Sequence, residues 1–317
     1  MRRLRPYEVL ALANTVLVAV LLSSRAGLPA SSILAAQPST FFLGLGLVAA
    51  GAALRAIAVA RRDGSVRARL YLRLLSRPAS VLDLARMFIV LGLVTWSYSW
   101  LKVFVPHLNR WVTDPLLATL DGKLHVGINP NRLLIELFPY PALFRAVDVY
   151  YAGFAFSLGL GFALLVSALD RRERSRFAAG FAVLWIAGSW LYVALPSLGP
   201  CYVFPDDYTA VRAHLPLQTE TQRLLIAQYR VVTSGLKSGT SLNPVFGVAA
   251  MPSLHVAGQA FLAFAARKRH RGLALFFGVC SVLTFLGSLM TGWHYAVDGY
   301  AGYLLAWGAW RLGERLG

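Results

Sequence analysis

Long apolar runs alternate with short polar knots along this chain, and their lengths set the first expectation. Eight runs are long enough, or nearly so, to cross a bilayer as helices: Tyr7–Ser23, Phe41–Ala60, Leu84–Val105, Ala142–Leu169, Phe177–Leu195, Pro252–Ala266, Leu273–Leu289 and His294–Trp310. Between the second and third, RRDGSVRARLYLRLLSRP spaces basic and apolar residues at a helical period. That predicts an amphipathic helix on anionic headgroups or a solvated connector. Leu108–Pro141 is only partly apolar and is broken by Pro, Gly and Asn, which predicts one or two interfacial or re-entrant helices. Ser197–Ala250 is the longest polar interval. It holds a predicted helix over Thr219–Thr233, with Thr219 as its cap, and then a Gly- and Ser-rich stretch. The expected fold is all-α: a polytopic membrane helical bundle of about eight crossings with outer interfacial helices. Residues 1–80 form an N-terminal transmembrane hairpin with its amphipathic cytoplasmic helix, and 81–317 the main bundle. The first run has no convincing cleavage site behind MRRLRP and is read as a retained helix.

Composition agrees: 57% of the 317 residues are hydrophobic and only 14% charged, which fits a membrane protein and not a soluble core. A formal net charge of +17 raises the question of nucleic acid. Position answers it. Most of the 31 Lys and Arg fall in Arg2–Arg5, Arg61–Arg77, Arg171–Arg176, Arg267–Arg271 and Arg311–Arg315, at alternate ends of the apolar runs. That is the positive-inside pattern, so the excess reflects topology and contact with anionic lipid. The expected partners are membrane lipids, and nucleic acid is not among them. Eight crossings put both termini in the cytoplasm of a bacterial-type plasma membrane. Of two cysteines, Cys201 lies in a loop and Cys280 in an apolar run, so neither a disulfide nor a metal site is expected.

The stretch Met251–Asp298 holds the chemistry. Two polar clusters, PSLH (Pro252–His255) and HYAVD (His294–Asp298), flank two apolar runs joined by the basic knot RKRHR. Two crossings return the chain to its starting side, so His255 and His294 are expected on one face, the extracytoplasmic one. His294 and Asp298 are four apart, which on a helix stacks the carboxylate under the imidazole. Such a bond sets the tautomer and leaves the other ring nitrogen free to attack. Pro252 suits a first helical turn, whose unpaired N–H groups together with the Ser253 hydroxyl form an anion pocket.

These residues carry a family resemblance. PSLHVA followed by GWHYAVDGYAG resembles the second and third signatures of the type 2 phosphatidic acid phosphatase superfamily, most closely its inositol phosphorylceramide synthase-like branch. LDGKLHVGINP (Leu120–Pro130) resembles an upstream motif of that branch, and GPCYVFP (Gly199–Pro205) a loop motif. The resemblance implies that His294 becomes a phosphohistidine, that Asp298 orients it and that His255 protonates the leaving oxygen. It also implies a structural or substrate-side role for Asp121. No metal or other cofactor is implied. Two departures stand out. Ser288 occupies the place where the phosphatases carry Arg six residues before the nucleophile, and their Lys-to-Arg-Pro first signature is not found. The phosphate-binding cations are therefore open. Arg145 contacts phosphate or pairs with Asp148 three residues on, and Arg223, Arg230 and Lys237 are the cations nearest in sequence to PSLH. Ser253 is a phosphate ligand or a helix cap.

The expected function is a membrane-embedded lipid phosphotransferase that passes a phospho-headgroup from a lipid donor to an alcohol through phosphohistidine. With water as acceptor it is a lipid phosphate phosphatase. A non-catalytic lipid-binding or transport protein is a further alternative, against which stands the absence of an inverted repeat.

Overall fold

The structure, a computed structural model, describes residues 4–28, 38–235, 241–268 and 270–317. Lys237 lies outside the described residues. Every regular element among those described is a helix. In chain order they are α1 (Pro6–Ala26), α2 (Pro38–Asp63), α3 (Ser65–Leu75), α4 (Pro78–Leu108), α5 (Asp114–Leu124), α6 (Pro130–Leu137), α7 (Pro141–Ala152), α8 (Phe154–Ala168) and α9 (Arg171–Ala194). Short helical turns at Pro200–Val203, Pro205–Tyr208 and Thr209–Arg212 lead into α10 (Pro216–Ser234), α11 (Leu254–Ala266), α12 (Arg271–Met290) and α13 (Ala296–Leu316).

Local chemistry sets many of these boundaries. Proline stands in the first turn of α1, α4, α5, α6, α7 and α10, where its missing N–H costs nothing. At α9 the Asp170 side chain accepts from Glu173 N and the Glu173 side chain accepts from Asp170 N, a reciprocal cap. The helix predicted over Thr219–Thr233 begins earlier, at Pro216, and Thr219 does not cap it. The buried Asp148 carboxylate does so from α7, accepting from Leu217 N at 3.0 Å and Gln218 N at 2.8 Å. Asp148 is thereby taken from Arg145, whose side chain is exposed, and the expected ion pair gives way to a helix cap.

Among the described residues four helices, α1, α4, α9 and α12, are long and apolar enough to cross a membrane, and α7 with α8 makes a fifth if the pair counts as one span bent by 48°. The protein is an integral membrane helical bundle, with fewer qualifying spans than the eight apolar runs. Physical reasons are visible for two of the others. The 13 residues of α11 rise only about 20 Å, short of a hydrocarbon core, and α13 carries Asp298, Arg311, Glu314 and Arg315.

At the centre α13 packs between α9 and α11, with α12 beside α11, α1 and α4 beside α9, and α8 against both α11 and α2. Small residues make the close approaches. A Cβ on Gly302 would lie 2.5 Å from Ser253 O, so α13 crosses α11 at the latter's cap. Several ion-paired basic residues gather at the opposite end. Arg5 and Arg171 pair with Asp83, Arg86 pairs with Glu8, and Lys268 at the end of α11 pairs with Glu314 near the end of α13. His255 sits in the first turn of α11, so about 20 Å of helix separates it from that basic end.

Candidate active site

Ser253 caps α11: its Oγ accepts from Val256 N at 3.4 Å, and its own N–H donates to Asp298 O at 2.9 Å. Pro252 is not in the first helical turn as expected but ahead of the cap. His255 follows in the first turn. Across from it, His294 precedes α13 instead of lying within it, and Tyr295 is the cap residue. Asp298 therefore reaches back from the third helical position. Its Oδ2 accepts from Tyr295 N at 2.9 Å and stands 3.3 Å from His294 Nδ1. The spacing of four works through a helix start and not along one helix face.

The two imidazoles meet. His294 Nε2 is 3.5 Å from His255 Nδ1, and the ring centroids are 5.5 Å apart in an edge-to-face arrangement. His294 is 3% exposed and Asp298 fully buried, while His255 is partly open. A nucleophilic nitrogen whose ring is braced by a carboxylate thus faces a second imidazole able to give and take a proton.

The peptide leading into His294 is held at nearly every residue. Gln222 Nε2 on α10 donates to Thr291 O at 2.9 Å, and the Trp293 indole donates to Gln218 Oε1 at 2.8 Å. Cys201 N donates to Gly292 O at 2.8 Å, and Asn131 Nδ2 donates to His294 O at 3.0 Å. Asp121 accepts from Ala296 N and Val297 N, both at 2.8 Å, so it anchors the first turn of α13. Burial pushes the Asp121 carboxyl above the usual carboxylate value, against the pull of those two N–H bonds and of His125. Asp114 accepts from Leu198 N and Gly199 N at 2.8 Å each and from the Tyr295 hydroxyl at 3.1 Å. Gly199 adopts φ +105°, and a Cβ there would lie 2.5 Å from Trp293 O, so only glycine fits this approach. Both upstream motifs therefore converge on the segment that presents the nucleophile.

The sequence-predicted cations among the described residues do not join them. Arg145 and Arg230 are exposed, and Arg223 pairs with its neighbour Glu220 at 2.7 Å. A cation the sequence reading missed lies within electrostatic range of one imidazole. Lys102, on α4, lies close enough to act electrostatically on His255, with Nζ 5.7 Å from the centre of the Tyr192 ring. No carboxylate pairs with Lys102 among the described residues. A lysine inside an apolar run was the available signal, since charge at membrane depth is retained for a reason. Tyr151, whose hydroxyl is 2.6 Å from His255 Nδ1, was also missed.

No curated protein and no solved structure matches the chain significantly. Residues 116–312, well over half of the chain, match the family described as the PAP2 superfamily. That stretch takes in both histidines, Asp298 and both upstream motifs, and the chain accordingly belongs to the PAP2 superfamily, as an enzyme of the phosphatase and phosphotransferase kind.

Proposed function

We propose that the protein transfers a phospho-headgroup from a membrane lipid to an alcohol through a phosphohistidine on His294. The 3.5 Å approach of His294 Nε2 to His255 Nδ1, with Asp298 on the far nitrogen, carries this reading. The lone pair of His294 Nε2 attacks phosphorus, the bond to the leaving oxygen breaks, and His255 supplies that oxygen with a proton. The acceptor hydroxyl then attacks the phosphohistidine, His255 takes its proton, and the P–N bond breaks. Asp298 stabilises the positive charge that His294 acquires in the first step. Lys102 is the cation for the phosphoryl oxygens, in the role that the sequence left open, and Ser253 holds the start of α11 in place. Lys237, Arg230 and Arg145 remain weaker candidates for contact with the headgroup.

Transfer is favoured over hydrolysis by the enclosure of the nucleophile. The 3% exposure of His294 under the segments carrying Asp114, Asp121, Asn131 and Gln222 keeps bulk water away. The same enclosure supports the narrower inositol phosphorylceramide synthase-like reading. The position of Arg5, Arg86, Arg171 and Lys268 at the end remote from the histidines supports an extracytoplasmic site with cytoplasmic termini. The test is incubation of purified enzyme with labelled phosphoinositide, phosphatidic acid and polyprenyl phosphate, with and without a ceramide or diacylglycerol acceptor. Transfer requires a new phospholipid that appears only with acceptor and is lost in His294→Ala. Release of water-soluble phosphate irrespective of acceptor makes the enzyme a phosphatase.

A further inference from the structure

We propose that Tyr151 is the positioning residue of His255, and that the break in the chain at Gly153 exists to bring it there. This rests on the phosphotransfer reading above. The Tyr151 hydroxyl lies 2.6 Å from His255 Nδ1, its ring meets the imidazole edge-to-face at 5.4 Å, and the Phe154 ring packs on the same imidazole at 4.2 Å. Tyr151 is 3% exposed, so the phenol has no bulk water to bond instead.

A second bond lies one helical turn deeper: Gln259 Nε2 donates to Ser157 Oγ at 2.7 Å. His255 and Gln259 are four apart and share a face of α11. Tyr151 and Ser157 are six apart. On one straight helix six residues turn through about 600°, which leaves the two side chains about 120° apart around the axis. An uninterrupted helix over Ala142–Leu169 would aim only one of them squarely at α11. Ending α7 at Ala152 and restarting as α8, with a 48° bend, resets the phase and lets both bonds form.

The chemistry of the partner fits the role of its histidine. A free imidazole can turn over and exchange Nδ1 for a carbon at the reacting position. The bond to Tyr151 keeps Nδ1 toward His294 Nε2. A carboxylate, as on His294, stabilises the imidazolium and suits a nucleophile that becomes cationic. A neutral phenol donates to a bare ring nitrogen and accepts from a protonated one, so the bond holds the His255 ring between proton transfers and opens while Nδ1, with its one in-plane site, exchanges the reacting proton.

Tyr151→Phe removes the hydroxyl and keeps the ring. With phosphatidic acid in mixed micelles, turnover is expected to fall about tenfold with KM within about twofold, and the basic limb of the pH profile to move. In histidine-¹⁵N-labelled protein in detergent, the His255 Nδ1 resonance is expected to shift while His294 stays in place. Phe154→Leu disturbs packing on the same imidazole but not the bond, and is expected to leave the limb and the resonance unmoved. Wild-type turnover, pH profile and His255 resonance in Tyr151→Phe overturn the proposal. If His294→Ala retains turnover, the phosphotransfer reading falls instead, and the resonance still decides whether Tyr151 holds His255.

Discussion

Asp121 tests whether the helix before the two catalytic motifs builds the site from a distance. The side chain is 4% exposed, and its two oxygens accept from Ala296 N and Val297 N at 2.8 Å each. In Asp121→Ala both first-turn N–H groups of α13 lose their acceptor. Left dry, each costs about 1–3 kcal/mol, or roughly 2–6 kcal/mol together. The surroundings favour the low end. Asp121 lines a cavity of about 300 Å³ with Asn129, Asn131, Arg132 and Tyr295. Truncation opens the N–H groups to water in that space, which replaces part of what is lost. A net loss of about 2 kcal/mol follows, the upper range for removing a helix cap, and corresponds to a drop of several degrees in melting midpoint. The effect on turnover is larger in proportion, because α13 carries Asp298 and begins two residues after His294. A displacement of about 1 Å between reacting groups costs on the order of a hundredfold. The assay is a thermal melt in detergent paired with lipid turnover, with Asp121→Asn, which keeps one acceptor oxygen, expected between wild type and alanine. An alanine variant that melts and turns over like wild type refutes the argument.

The same carboxyl predicts a pH dependence. Its folded value is raised, so the folded chain holds the proton more tightly than the unfolded one. The stability it contributes is then greatest below the ordinary value of about 3.9 and declines as pH rises through the folded value. The melting midpoint of wild type minus that of Asp121→Asn should fall between acid and neutral pH; a difference that grows with pH contradicts the burial. Lys102→Met should lower kcat/KM roughly 10- to 100-fold while raising the melting midpoint, because an unpaired ammonium among apolar side chains is costly to fold. Equal loss of stability and activity would show that Lys102 has a structural partner. Gly302→Ala places a methyl carbon 2.5 Å from Ser253 O and should separate α13 from the cap of α11, reducing turnover at least tenfold. Gly308→Ala on the same helix meets nothing within 4 Å and serves as the control.

Which parts of this molecule the chain announces, and which it conceals, follows from how far each interaction reaches. Apolar run length makes a membrane bundle of helices legible, because burial in lipid forces each span to satisfy its own backbone. His255 and His294 are legible as a pair, since two runs between them return the chain to one face. Asp298 is legible from its spacing of four, although it reaches His294 across a helix start. Asp121 is visible only through a motif resemblance that says nothing of what it bonds. Asp114, Asn131 and Tyr151 stand 104 to 181 residues from the site residues they bond, and Lys102 is on a helix whose rotation no local pattern reports. The pairing of Arg145 with Asp148 obeyed the local rule and lost, because the first-turn N–H groups of α10 have no other acceptor while an exposed guanidinium has water. Hydrophobic period decides that a helix forms and how long it runs. Which side chains meet depends on the phase at which helices cross, and that is set by close glycine contacts and by a single break at Gly153, visible only once the bundle has packed.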